Sequence, residues 1–327
     1  MKRSRTVGIC ALLALALPAT AQAHLRTGTV AVGYAATVSS PPARSGPFAV
    51  GIYASDLAVH LAVRPGHTVV VLGYLGEPFL RIGPAGVAVN AGSPTAAAVG
   101  LLAKAPGTGT GWRFEVGRSS AVWHDARVSR LRPGETSGAW RIPIRVDGRA
   151  AAIAGHTRKL PAPGLAPWAA VVAAFALLAA ALAPVRTPAR LATGCTALAA
   201  LGGVAAVATA AGFALDSYAS PGTWILSVDG TVFAVAAAAA LVRGAGRWRI
   251  AGGAMLGLLA LGGGLSKGPV FMRADVLSAI PGDWTRALVA VSIGAGGAAA
   301  ALGGLWLVRA EREPGVGTAH VSPPQAT

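Results

Sequence analysis

Leu165-Ala-Pro-Trp-Ala-Ala-Val-Val-Ala-Ala-Phe-Ala-Leu-Leu-Ala-Ala-Ala-Leu-Ala-Pro-Val185 contains no charged side chain and is as long as a bilayer core requires. Similar stretches recur toward the C-terminus, so apolar spans are expected at about 165–185, 191–215, 223–242, 250–265 and 287–308. Ahead of Pro163 the composition changes: arginine is frequent, and short β-type runs alternate with turn residues. These two regimes predict two parts, an all-β domain followed by an α-helical transmembrane bundle. Over the 327 residues, charged side chains make up 12% and mean hydropathy is +0.58. Both values exclude an ordinary soluble protein of this size.

The N-terminus carries an export signature. Lys2, Arg3 and Arg5 precede the apolar run 7–17, Pro18 breaks it, and Ala21-Gln22-Ala23 offers small residues at a cleavage site. The run is too short to span a bilayer, so residues 1–23 read as a signal peptide and the mature chain as starting at His24. An uncleaved N-terminal anchor is the alternative. Orientation follows independently from the arginines. Arg186 and Arg190 follow the first span, Arg243, Arg247 and Arg249 the third, and Arg309 and Arg312 the fifth. The loop holding Asp216 has no basic residue. The positive-inside rule then places residues 24–160 outside the cell and the tail 310–327, rich in Pro, Gly and Ser, in the cytoplasm.

Residues 24–160 are expected to form one β-sandwich of immunoglobulin-like type, with many short strands and regular turns. The runs include 28–38, 58–63, 68–74, 86–90 and 140–146, the last paired with 150–154 through a type I′ turn at Asp147-Gly148. No disulfide is available, because Cys10 lies in the signal peptide and Cys195 in an apolar span. Between His24 and Pro161 there are 15 basic and 6 acidic residues, a balance of +9 within a total of +16. An exported domain of that charge is drawn to anionic lipid headgroups and wall polyanions. Nucleic acid is excluded as a partner, since the basic part lies outside the cytoplasm. The lipid bilayer and an envelope protein or metal are the expected partners.

Within the spans, small residues such as Gly202-Gly203, Gly252-Gly253 and 262–264 let helices approach closely. Asp229 is the one intramembrane charge, about a third of the way into its span, and Lys267 at the outer end of the fourth span is its expected partner. They read either as an ion or proton site of a transport or signalling protein, or as a structural pair. The spans hold no His or Glu, which argues against an extended pathway.

The exported domain has no nucleophile elbow, zinc-protease motif, phosphate loop or Cys-x-x-Cys, and its acids show no catalytic spacing. An enzyme is not expected. Histidines remain. A free N-terminal His24 offers an α-amine and an imidazole, a chelate suited to Cu(II). His124 is the expected second ligand, with Asp125 as ligand or orienting group. The structural alternative is that Trp123-His124 merely ends a strand. His60 and His67 read as a strand-surface and a turn residue. In Glu77-Pro78-Phe79-Leu80-Arg81, Glu77 and Arg81 are expected to pair while Phe79 and Leu80 anchor in the core.

The stretch 69–87, with Ser93-Pro94-Thr95 and Val122-Trp-His-Asp-Ala-Arg127, resembles uncharacterised actinobacterial multi-pass membrane proteins with an exported β-domain. That resemblance implies the same architecture. The family's fuller motif reads Trp-His-Asp-His-Arg-x-His, which invites a metal. Ala126 and Ser129 stand at its two further histidine positions here, which leaves His124 and Asp125. The expectation is therefore a membrane-anchored extracytoplasmic binding module, copper handling being its specific form. The alternatives are transport or signalling through Asp229, and a purely structural or protein-interaction role.

Overall fold

A computed structural model describes residues 29–39, 46–102, 111–115, 118–129, 131–185, 187–216, 235 and 247–312. The chain divides into two compact units: one comprises mainly residues 35–158, the other 28–34 together with 159–327.

The first unit is β-rich. Its strands include β2 (Tyr34–Val38), β3 (Phe48–Tyr53), β4 (Ala58–Val63), β5 (Val69–Leu72), β6 (Pro78–Gly83) and β7 (Gly86–Asn90). β8 (Trp112–Glu115), β9 (Ser120–Trp123), β10 (Ser137–Val146) and β11 (Arg149–Lys159) complete the set. Two sheets result, one ordered β2-β11-β10-β5-β6-β7-β8 and the other β3-β4-β9. Period-two alternation explains the core. In β4, Val59, Leu61 and Val63 are buried while His60 and Ala62 are half-buried; Val69 and Val71 of β5 and Trp140, Ile142 and Ile144 of β10 follow the same rule. Side chains of both sheets join one apolar cluster that also holds Phe79 and Trp123. Each such burial stabilises by roughly 1.5–3 kcal/mol. The β10–β11 hairpin forms as expected and runs longer, pairing Ser137 with Arg158 at its far end. Its turn residues Asp147 (φ 50) and Gly148 (φ 81) both have positive φ, as a type I′ turn requires.

The second unit is helical: α3 (Ala166–Leu182), α4 (Pro188–Ala214), α5 (Arg247–Leu265) and α6 (Gly282–Arg312). The short segments α1 (Pro94–Ala98) and α2 (Ala126–Ser129) belong to the β-rich unit. Three stretches, Arg190–Ala214, Trp248–Leu265 and Gly282–Arg309, are long and apolar enough to cross a membrane, and Ala166–Leu182 is a shorter apolar helix. The span expected at 223–242 lies outside the described residues except Val235.

Glycines bring α4, α5 and α6 together. A Cβ on Gly296 would lie 2.7 Å from the Gly257 carbonyl oxygen and 2.8 Å from the Leu261 nitrogen, and one on Gly202 2.9 Å from the Gly296 nitrogen. Hydrogen bonds reinforce the crossings. Ser292 Oγ donates to the Ala260 carbonyl at 2.7 Å, and Arg309 Nη1 donates to the Ala183 carbonyl at 2.8 Å beyond the end of α3. A cation there satisfies a carbonyl the helix leaves open.

The run 28–38, expected as one strand of the β-domain, is split at Gly33. Its first part, β1 (Ala31–Val32), pairs antiparallel with β12 (Asp275–Val276) between α5 and α6. The Leu277 N–H donates to the Val30 carbonyl and Arg273 Nη1 to the Ala31 carbonyl. Ala31 is fully buried among Phe213, Val270, Val276 and Val289. The connection that holds β12 also contains a 3-10 turn, Gly268–Phe271, and is pinned by Arg286. That buried guanidinium donates to the carbonyls of Val270, Arg273 and Ala274 and pairs with Asp283 at 2.9 Å.

Candidate functional site

The Glu77 loop and the Trp123–Arg127 segment meet in one polar network. Ser93-Pro94 starts α1, with the Ser93 hydroxyl accepting from Ala96 N–H and proline in the first turn. The same hydroxyl donates to Glu77 Oε1 at 2.8 Å, and the Thr95 N–H donates to that oxygen at 3.2 Å. Glu77 Oε2 accepts from Leu75 N–H at 3.1 Å, and Thr95 Oγ1 accepts from Tyr74 N–H at 2.7 Å. Gly73 leaves the room required: a Cβ there would collide with the Glu77 carboxylate and the Thr95 hydroxyl. Burial alone pushes the Glu77 carboxyl up, but hydrogen bonds from Thr95, Ser93 and the backbone outweigh it and hold the group down at about 2. Glu77 therefore does not pair with Arg81. The Arg81 guanidinium instead lies 4.8 Å from the Trp112 ring centroid. Phe79 and Leu80 are buried, as expected of a corner anchor.

Asp125 completes the network from the other side. Its carboxylate is 1% exposed, accepts from the Trp123 indole N–H at 3.0 Å, and meets Arg127 Nε at 2.9 Å and Nη2 at 2.7 Å. Arg127 also donates to the Leu72 carbonyl and stacks over the Tyr74 ring at 5.0 Å. Tyr74 Oη accepts from Ala126 N–H at 2.9 Å. Asp125 is thus engaged as the buried half of an ion pair, with its hydrogen bonds going to Trp123 and Arg127. Arg127, Tyr74 and Thr95 are the members sequence reasoning misses. Ser93-Pro94 suits a helix start, but nothing local announces a contact spanning some 50 residues.

His124 differs from Asp125. It is half-buried, and its Nδ1 lies 2.6 Å from the Leu57 carbonyl. A carbonyl only accepts, so in the neutral ring Nδ1 holds the proton and Nε2 carries the lone pair a metal needs. His24 and Asp229 lie outside the described residues. Lys267 donates to the Gly263 carbonyl at 2.9 Å, near the end of α5. His60 stacks on Tyr53 with centroids 4.7 Å apart, and burial lowers its pKa. His67 Nδ1 lies 2.8 Å from Asp147, and the bond from His67, with another from Thr68 N–H, holds that exposed carboxyl below its usual range. Among the described residues no three metal-ligating side chains converge.

Compared with known protein families, curated proteins and solved structures, the chain matches none.

Proposed function

We propose that the chain is a membrane-anchored, non-enzymatic binding module whose β-domain faces the outside of the cell, with copper handling in the envelope as its specific form. The observation that carries this reading is the β1–β12 pairing. It joins residues 31–32 to the connection between α5 and α6, which supports a common side of the bilayer for both. The opposite helix ends bear Arg190, Arg249 and Arg309, whereas the α5–α6 connection mixes Lys267 and Arg273 with Asp275 and Asp283, a contrast that supports a cytoplasmic side for the former. The helices act as a transmembrane bundle, for which the glycine crossings are suited. The β-domain is an immunoglobulin-like sandwich in the broad sense. Two antiparallel sheets enclosing one core support this, although seven and three strands divide less evenly than in immunoglobulin domains.

For copper, His124 supplies Nε2, and a mature N-terminal His24 supplies its amine and ring. Asp125 is left out, because Trp123 and Arg127 hold it. The test is Cu(II) titration of the full mature chain in detergent, beginning at His24, against one with an extra residue ahead of His24. We expect tight binding that the extension abolishes and that His124→Ala weakens about tenfold or more. Binding indifferent to both changes, or none, sinks the copper form. The placement is tested separately. Ala150→Cys, in a background of Cys10→Ser and Cys195→Ser, is expected to react with a membrane-impermeant maleimide on intact cells; labelling only after lysis refutes the orientation.

A further inference from the structure

Among the described residues, the outward face of β5, β6, β7, β10 and β11 carries charge of one sign. Along β10, Trp140, Ile142 and Ile144 point into the core, while Arg141 and Arg145 are exposed. Along β11, Gly155 and Thr157 are buried, while His156 and Arg158 are exposed. The register joins these positions into one surface. Arg158 lies opposite Ser137, on the same parity as Arg141 and Arg145. Arg145 lies opposite Val70, which lies opposite Arg81 on its other flank. Arg81 is steadied over Trp112, itself on this face two residues from the partner of Ala88.

Among the described residues, β5, β6, β7, β10 and β11 place no carboxylate on that face. The acids at the hairpin's ends are already engaged. Glu135 accepts from the Arg132 N–H, and Asp147 is held by His67 and Thr68.

We propose that this face docks a linear polyanion of the cell envelope with repeated phosphate groups. The proposal rests on the extracytoplasmic reading and names the partner class. Strand geometry gives the argument for a polymer. Arg141 and Arg145 are about 13 Å apart along β10, and the row from Ser137 to Arg145 extends about 26 Å. One phosphate or one lipid headgroup meets a single exposed arginine, a weak contact screened by salt. A chain of phosphates meets several together, and each contact raises the effective concentration for the next. The exposed cations Arg141, Arg145 and Arg158 are all arginines, whose planar fork fits phosphate in a way an ammonium does not.

The experiment uses the full-length protein in phosphatidylcholine nanodiscs, where both sides of the bilayer are open and the result does not depend on which side the β-domain faces in the cell. Long-chain polyphosphate is the probe. Binding is expected to weaken steeply with salt. The double variant Arg141→Ala, Arg145→Ala should weaken it about tenfold, whereas Arg132→Ala, Arg149→Ala, an equal charge change off the row, should have less than about a threefold effect. Unchanged thermal unfolding checks that both variants fold. Equal losses in the two pairs would show net charge alone and overturn the proposal. So would orthophosphate competing as well as polymer at equal phosphate concentration. Absent polymer binding overturns it too, as does binding only to nanodiscs with anionic lipid, which would assign the face to headgroups.

Discussion

At Glu77 one side chain holds two segments in place, because its carboxylate accepts hydrogen bonds from Ser93, Thr95 and Leu75 and closes the loop that begins at Gly73. This has a pH consequence of definite sign. The carboxyl is held at about 2, below its ordinary 4.5. A depressed folded-state pKa stabilises above the unfolded value and is lost as pH falls through the folded one. Glu77→Gln should therefore cost about 1.5–3 kcal/mol at neutral pH, the range for hydrogen bonds to a charged group. The gap between variant and wild type should narrow as pH falls from 4.5 toward 2, measured by thermal unfolding. A gap constant over that window would mean that the charge is not what matters. The sequence made Glu77 and Asp125 noticeable as residues but did not give the partners they have, Ser93 and Thr95 for the one and Trp123 and Arg127 for the other. Pairing within a turn is a local guess, whereas Ser93, Thr95 and Arg127 arrive through the tertiary fold.

Among elements, legibility depends on whether the deciding physics is local. The β10–β11 hairpin was readable because Asp147-Gly148 meets the positive φ of its turn. Helix ends were readable to within a few residues because apolar length is a sum along the chain. Which glycines make the crossings was not readable. Gly262 and Gly263 were as conspicuous in sequence as any, yet a Cβ on either meets nothing within 4 Å, whereas Gly257, Gly264 and Gly296 are in close contact. Composition says that helices can approach, and only rotation about each axis says where. Gly296→Leu should thus drive side-chain atoms into the backbone of α5 and cost about 1–3 kcal/mol or more by overpacking, lowering the midpoint of heat-induced aggregation in detergent. Gly263→Leu is expected to leave that midpoint within about a degree. If the two behave alike, the crossing is not where these contacts place it.

For the molecule as a whole, the boundary between the two units does not follow chain order. Residues 28–34 precede the whole β-domain, yet group with the helices. The run 28–38 looked like a single strand because its residue types suit one throughout, and β pairing partners are not written in the strand itself. A substitution near the start of the chain should therefore destabilise its far half. Ala31 is fully buried against Val270, Val276 and Val289, so Ala31→Asp places an unpaired carboxylate among apolar groups, costing about 3 kcal/mol. Cys195, buried in α4 at 2% exposure, reports on the helical unit directly. With Cys10 changed to Ser, its reaction with a thiol dye during heating follows helix unfolding. The midpoint should fall by about 6 °C or more for Ala31→Asp. Ala150→Asp, on an exposed position of β11, should leave it within about a degree. An unmoved Cys195 midpoint in Ala31→Asp would return residues 28–34 to the β-domain and remove the β1–β12 pairing on which the proposed orientation rests.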